Sequence, residues 1–167
     1  LKLEKYLASA SEAEQNNIYN KIITYALATA EVNAGMGKIV AGPTAGASGI
    51  VPAVILAIGE TDNLSNQKLV DSLFTAAGLG YVVSRKATLA GAAGGCQAEC
   101  GVGAAMAAGA AVELRGGSPQ MAADAFAMAL KNLLGLVCDP VEGLVEVPCV
   151  KRNGFAVAHA YTASTMA

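Results

Sequence analysis

About one residue in three of this 167-residue chain is alanine or glycine: 35 Ala and 19 Gly, with no Trp and aromatic residues at 5%. Side chains this small cannot fill a bulky core, so burial has to come from backbones that approach closely. Alanine is the strongest helix former, and small residues on helix faces shorten the distance between packed helices. Hydrophobic residues make up 54% and charged residues 14%, a balance too apolar and too weakly charged for disorder. The expectation is one folded domain of Ala-faced helices.

The same apolarity raises the question of a membrane, because no charge occurs from Ile39 to Gly59, a run of 21 residues. That length could span a bilayer. The run contains Gly42, Pro43, Gly46, Gly49 and Pro52, which would break a spanning helix where freed backbone groups find no water, so a soluble chain is expected. The start, Leu1-Lys2-Leu3-Glu4-Lys5, lacks the pattern of a signal peptide, and a cytoplasmic location is the expectation. A net charge of −2 with no basic stripe gives nucleic acid nothing to bind.

Helical spacing runs from Glu12 to Ala34, with Ile18, Ile22, Tyr25 and Val32 near one face. A Gly/Pro/Thr/Ser-rich stretch from Gly35 to Gly49 then interrupts, and Ile50 to Ile58 reads as a buried helix with Pro52 in its first turn. Ser65 caps a third helix reaching about Lys86, where basic residues suit the dipole. Cys96 to Leu114 reads as an Ala-rich helix stopped by Gly116-Gly117, and Ser118-Pro119 opens another to about Leu134. Gly135 to Pro148 reads as an irregular loop with at most one short extended piece, and Val150 to Ala167 as a sixth helix. The fold expected is all-α, a single domain of about six helices over residues 1–167 with irregular ligand-bearing loops. The final residues carry no stop signal, so the chain reads as the ordered part of something longer.

Four cysteines, Cys96, Cys100, Cys138 and Cys149, occur in a chain whose other features look cytosolic, where structural disulfides are uncommon. Four buried thiols is one reading. Metal ligation is the other, because three of the four sit beside Gly or Pro at element boundaries: Gly95-Cys96, Cys138-Asp139-Pro140 and Pro148-Cys149. There is no Cys-x-x-Cys knuckle for zinc and no ferredoxin run. Wide spacing suits a cluster built from distant loops.

Several segments together resemble the iron–sulfur L-serine dehydratases. They are Gly95-Cys96-Gln97-Ala98-Glu99, Cys138-Asp139-Pro140-Val141 and Val147-Pro148-Cys149, together with Pro43-Thr44-Ala45-Gly46 inside Ala41 to Val54. Gly116-Gly117-Ser118-Pro119 and Lys151-Arg152-Asn153 also fit, so the resemblance covers nearly the whole chain. It implies an alpha subunit or alpha domain that holds a four-iron four-sulfur (4Fe-4S) cluster, works with a beta subunit or domain, and forms an oligomer. The reaction it implies takes L-serine to pyruvate and ammonia without pyridoxal phosphate. By position, Cys96, Cys138 and Cys149 correspond to the three ligands, which leaves one iron open as a Lewis acid. In this setting the loop before Ile50 offers backbone donors at a helix start for the serine carboxylate, with Thr44, Gly46 and Gly49 as the candidate substrate residues. The catalytic base is expected from the beta part.

Two residues depart from the family pattern: Cys100 stands where an apolar residue is usual, and Ala45 where some members carry Asn. The chain also stops before the family's C-terminal segment. Of the remaining residues, His159 is expected to pack rather than act as a base, Asp139 and Glu142 to hold their loop, Glu99 to be structural, and Arg152 to form a salt bridge at a helix start. Gly101-Val102-Gly103 lacks the third glycine of a dinucleotide fingerprint and follows no strand. The competing reading is a helical iron–sulfur electron carrier or structural cluster protein in which Cys100 supplies a fourth ligand.

Overall fold

The computed structural model describes residues 2–167 and contains nine α-helices among them. They are α1 (Lys2–Ala8), α2 (Glu12–Gln15), α3 (Ile18–Ala34), α4 (Ile50–Thr61), α5 (Asn66–Lys86), α6 (Gly91–Gly94), α7 (Val102–Leu114), α8 (Pro119–Asn132) and α9 (Glu146–Met166). The all-α expectation holds, while the count of about six is corrected by short helices and by different boundaries. One expected helix splits because a second cap lies inside it. Ser11 and Glu14 form a capping box, and the Asn17 side chain then accepts from Tyr19 N at 2.9 Å, so α3 starts afresh. The last helix begins at Glu146 rather than Val150, because Pro148 falls in its first turn, where no backbone donor is needed. The caps at Ser65 and Ser118 form as the sequence requires, through bonds to Lys68 N and Met121 N. Among the described residues the extended backbone is one isolated bridge, Val141 to Leu144, closed by a tight turn through Glu142 and Gly143.

The centre of the molecule is α7, which is apolar all round and buried along nearly its whole length. It packs against α4, α5, α8 and α9, and α3 closes the bundle against α4 and α9. Close approach is what the small side chains make possible. At Gly109 a Cβ would collide with Leu79 of α5 and come within 3.1 Å of the Ala122 carbonyl of α8. No helix among the described residues is long and apolar enough to cross a membrane. Packing thus brings three irregular segments to one end of α7: the loop before α4, the turn before α7, and the loop from α8 to α9.

Candidate functional site

The turn before α7 is set by Gly95, at φ +73° and ψ −169°, a region open essentially only to glycine. A Cβ there would come within 3.1 Å of the Leu136 carbonyl and of Cys138 N, so the absence of a side chain lets the 135–138 segment lie directly on the turn that carries Cys96. Two further bonds clamp that contact. Gln97 N donates to Leu136 O at 2.8 Å, and Gly135 N donates to Gln97 Oε1 at 2.9 Å. Cys96 is followed by one turn of π-helix, Gln97–Gly101, before α7 begins, and such turns are common at functional sites.

Cys149 lies in the first turn of α9, and two consecutive residues further on tie the segments together. Arg152 Nη1 donates to Cys96 Sγ and to Val137 O, both at 2.7 Å, while Nη2 lies 3.5 Å from the Asp139 carboxylate. Asn153, only 1% exposed, binds the other side. Its Oδ1 accepts from Gly49 N at 3.0 Å, and its Nδ2 donates to Gly46 O at 2.7 Å and to Cys149 O at 2.8 Å. Cys96 and the Cys138 loop are therefore joined through Arg152, and the Cys149 turn is joined to the Gly46–Gly49 loop through Asn153.

The electrostatics divide the thiols. Burial, and after it the neighbouring Cys96 thiol, the Glu99 carboxylate and the Cys138 thiol, push Cys149 up to about 11, with Arg152 opposing. Cys100 is 1% exposed and is pushed up to about 12, chiefly by burial. Cys96 is buried and Cys138 exposed, and none of the four is in a disulfide. Among the described residues no three Cys, His, Asp or Glu side chains converge closely enough to grip a single ion. A polynuclear cluster is a larger object, and its ligands need not converge in that way. Three soft sulfur donors on adjoining loops, with a permanent guanidinium charge on one of them, fit such a group chemically.

Beside these sulfurs lies a cavity of about 340 Å³ whose lining includes Gly46, Glu99, Glu146, Cys149 and Asn153. The Thr44 hydroxyl is buried without a hydrogen-bond partner, as is that of Ser48, itself 1% exposed. Gly46 and Gly49 are less free than the sequence suggests. The Gly46 carbonyl and the Gly49 N–H are both engaged by Asn153, and a Cβ on Gly49 would press on the Ala26 carbonyl. The sequence reads Glu99 as structural, and its carboxylate faces Gly46 and Gly91; Asn153, which the sequence offers only as part of Lys151-Arg152-Asn153, makes bonds that reach across more than a hundred residues. Arg152 does bridge to Asp139, as a helix-start salt bridge. His159 is packed: Nε2 donates to Ala129 O at 3.0 Å, and Nδ1 faces the Asn132 amide at 3.3 Å. The Gly101-Val102-Gly103 stretch enters the buried α7, far from a phosphate loop in form.

Residues 2–167 match the family model described as serine dehydratase alpha chain. The chain is 49% identical over 167 residues to a "Probable L-serine dehydratase, alpha chain" of Bacillus subtilis (strain 168), covering 100% of this chain and 55% of that protein. It is 51% identical over 151 residues to a "Probable L-serine dehydratase, alpha chain" of Latilactobacillus sakei, covering 90% and 72%. To the "L-serine dehydratase, alpha chain" of Peptoniphilus asaccharolyticus it is 45% identical over 160 residues, covering 96% and 55%. It thus spans about half the length of two of these relatives.

Proposed function

The chain belongs to the serine dehydratase alpha chain family, and on that premise we propose that it is the alpha part of an L-serine dehydratase, converting L-serine to pyruvate and ammonia together with a beta subunit or domain. The observation that carries the reading is the meeting of the Cys96 turn, the Cys138 loop and the Cys149 turn around Arg152. A four-iron four-sulfur cluster held by Cys96, Cys138 and Cys149 would supply Lewis acidity toward the substrate hydroxyl through an iron with no cysteine ligand. Arg152 brings a positive charge to sulfurs that must be anionic to ligate, and its bond to Val137 O keeps the 137–139 segment against the Cys96 turn.

The substrate side falls to the loop before α4. Thr44 has a buried hydroxyl with no partner, which suits it to donate to the serine carboxylate; Gly49 lets the loop lie close to α3 and α9, and Gly46 leaves room for the Glu99 carboxylate. Asn153 holds that loop at a set distance from the Cys149 turn. With both ring nitrogens of His159 engaged, removal of the Cα proton is assigned to a group of the beta part. Cys100, 1% exposed, belongs to the apolar core packed around α7, whereas Cys96 and Cys149 do not, which favours an open iron over a cluster closed by four cysteines.

The test is anaerobic reconstitution with iron and sulfide in the presence of the beta partner, followed by a pyruvate assay with L-serine. Turnover is expected from the complete enzyme, and the chain alone should be inactive. Robust turnover by the isolated chain would refute the division of labour, and full iron content after Cys138→Ser would refute the ligand set.

A further inference from the structure

We infer that Glu99 receives the α-ammonium group of the substrate, in the cavity between the Gly46 loop and the Cys149 turn. The inference rests on the dehydratase reading above and assigns the orientation of the amino acid within that site.

Room is made for this carboxylate by two glycines, Gly46 before α4 and Gly91 at the start of α6. Its oxygens lie 3.4 and 3.5 Å from the point a Cβ on Gly46 would occupy, and a Cβ on Gly91 would collide with it outright. Among the described residues, no hydrogen bond or ion pair to the Glu99 carboxylate is found. The lining of the cavity includes no Lys, Arg or His. The two amide side chains of the lining are already committed elsewhere: Asn153 to Gly49, Gly46 and Cys149, and Asn33, whose Nδ2 donates to Ala45 O at 3.1 Å. A half-buried carboxylate on the wall of a cavity, with no donor of its own, is suited to receive a cation.

Serine carries one cation and one anion on the same carbon, so placing either fixes the other. Glu99 attracts the ammonium to the Gly46 end and repels the carboxylate from it, so the carboxylate of a bound serine points away from Glu99. The orientation has a chemical consequence. An ammonium held against a carboxylate stays protonated, and its electron withdrawal makes the Cα proton easier to remove. It also gives selectivity, because a hydroxy acid with the same carbon skeleton offers Glu99 no positive charge.

The experiment uses the anaerobically reconstituted holoenzyme with its beta part and a matched pair of unreactive probes. L-alanine and L-lactate share carboxylate and methyl and differ in ammonium against hydroxyl. By calorimetric titration, Glu99→Gln should weaken L-alanine by about tenfold to a hundredfold and change L-lactate by less than about threefold, with iron and sulfide content unchanged. The apparent KM for L-serine should rise with L-alanine, and Glu99→Asp should restore part of the preference. Equal weakening of both probes, or loss of iron, would make Glu99 structural and overturn the inference. Unchanged L-alanine binding with a collapsed kcat would make it a base instead. A selective loss produced by Glu146→Gln and not by Glu99→Gln would move the role to the exposed carboxylate at the cavity mouth. Wild-type holoenzyme that makes no pyruvate from L-serine would remove the dehydratase reading itself. Wild-type turnover with an unselective Glu99→Gln would remove only this assignment.

Discussion

Asn153→Ala removes three hydrogen bonds at once from a residue that is 1% exposed. A typical hydrogen bond contributes about 1 kcal/mol net, and a buried group left unpaired costs about 1–3 kcal/mol. Gly46 O and Cys149 O border the 340 Å³ cavity, where water can reach them, so each is counted near the lower figure. Gly49 N lies on a buried residue against the Ala26 carbonyl, where water has no space, and is counted near the upper one. The loss comes to about 3–5 kcal/mol, a fall in thermal midpoint of about 6–20 °C for a chain of this size. Calorimetry and urea unfolding of wild type and variant provide the measurement. Asn153→Asp supplies the sharper comparison: it can still accept from Gly49 N but sets an oxygen against each of the two carbonyls, so it should rescue nothing. An Asn153→Ala variant within about 0.5 kcal/mol of wild type, or an Asp variant as stable as Asn, would refute the argument that this amide holds the two loops together.

Three further outcomes follow from the same geometry. Cys138→Ser should abolish the visible absorbance of the reconstituted cluster while Cys100→Ala leaves iron content and activity unchanged; activity gained only on removing Cys100 would instead support a cluster closed by four cysteines. Gly95→Ala should cost about 1–3 kcal/mol for the backbone conformation alone and lower iron uptake, and wild-type stability with full iron loading would remove the role given to that turn. Burial, aided by the adjacent Glu60 carboxylate, pushes the Tyr25 phenol up to about 12. A phenol that holds its proton more tightly when folded contributes stability in full below its ordinary value near 10, and that contribution is lost as pH rises toward 12. Tyr25→Phe should therefore flatten the alkaline limb of a stability–pH curve between those values, and an unchanged limb would refute the attribution.

The parts of this fold legible in the sequence are those in which cause and effect lie within a few residues. Ser65 and Ser118 cap the helices they precede, and the Ala-rich run from Val102 becomes the buried centre because it offers no polar face to water. Cys96, Cys138 and Cys149 were legible as residues at or near element boundaries for the same reason. Asn17 was missed because a cap inside an apolar-periodic stretch competes with the period, and the local hydrogen bond wins. The site was legible in its residue types and not in its wiring. Nothing near Arg152 signals a sulfur 56 residues earlier, and nothing near Asn153 signals Gly46, 107 residues away.

Those two contacts also explain why the chemistry gathers at the start of α9. Successive residues on a helix point about 100° apart, so Arg152 and Asn153 reach different neighbours from one turn. Arg152 turns to the Cys96 turn and the Cys138 loop, and Asn153 to the loop before α4. Cys149 lies one turn before both, and its carbonyl accepts from Asn153. A rotation or shift of α9 therefore cannot move the proposed ligand set without also moving the proposed substrate loop. This coupling is what a reaction shared between them requires, since the substrate hydroxyl has to meet one group while the ends of the same small molecule are held by another. It places the consequences of a change at either residue on both functions, so that Arg152→Lys, which keeps a charge but loses the fork that sets Nη1 on Cys96 and Val137 and Nη2 toward Asp139, should lower iron content and raise the KM for L-serine together. A rise in KM with full iron content would show that the two loops are held independently.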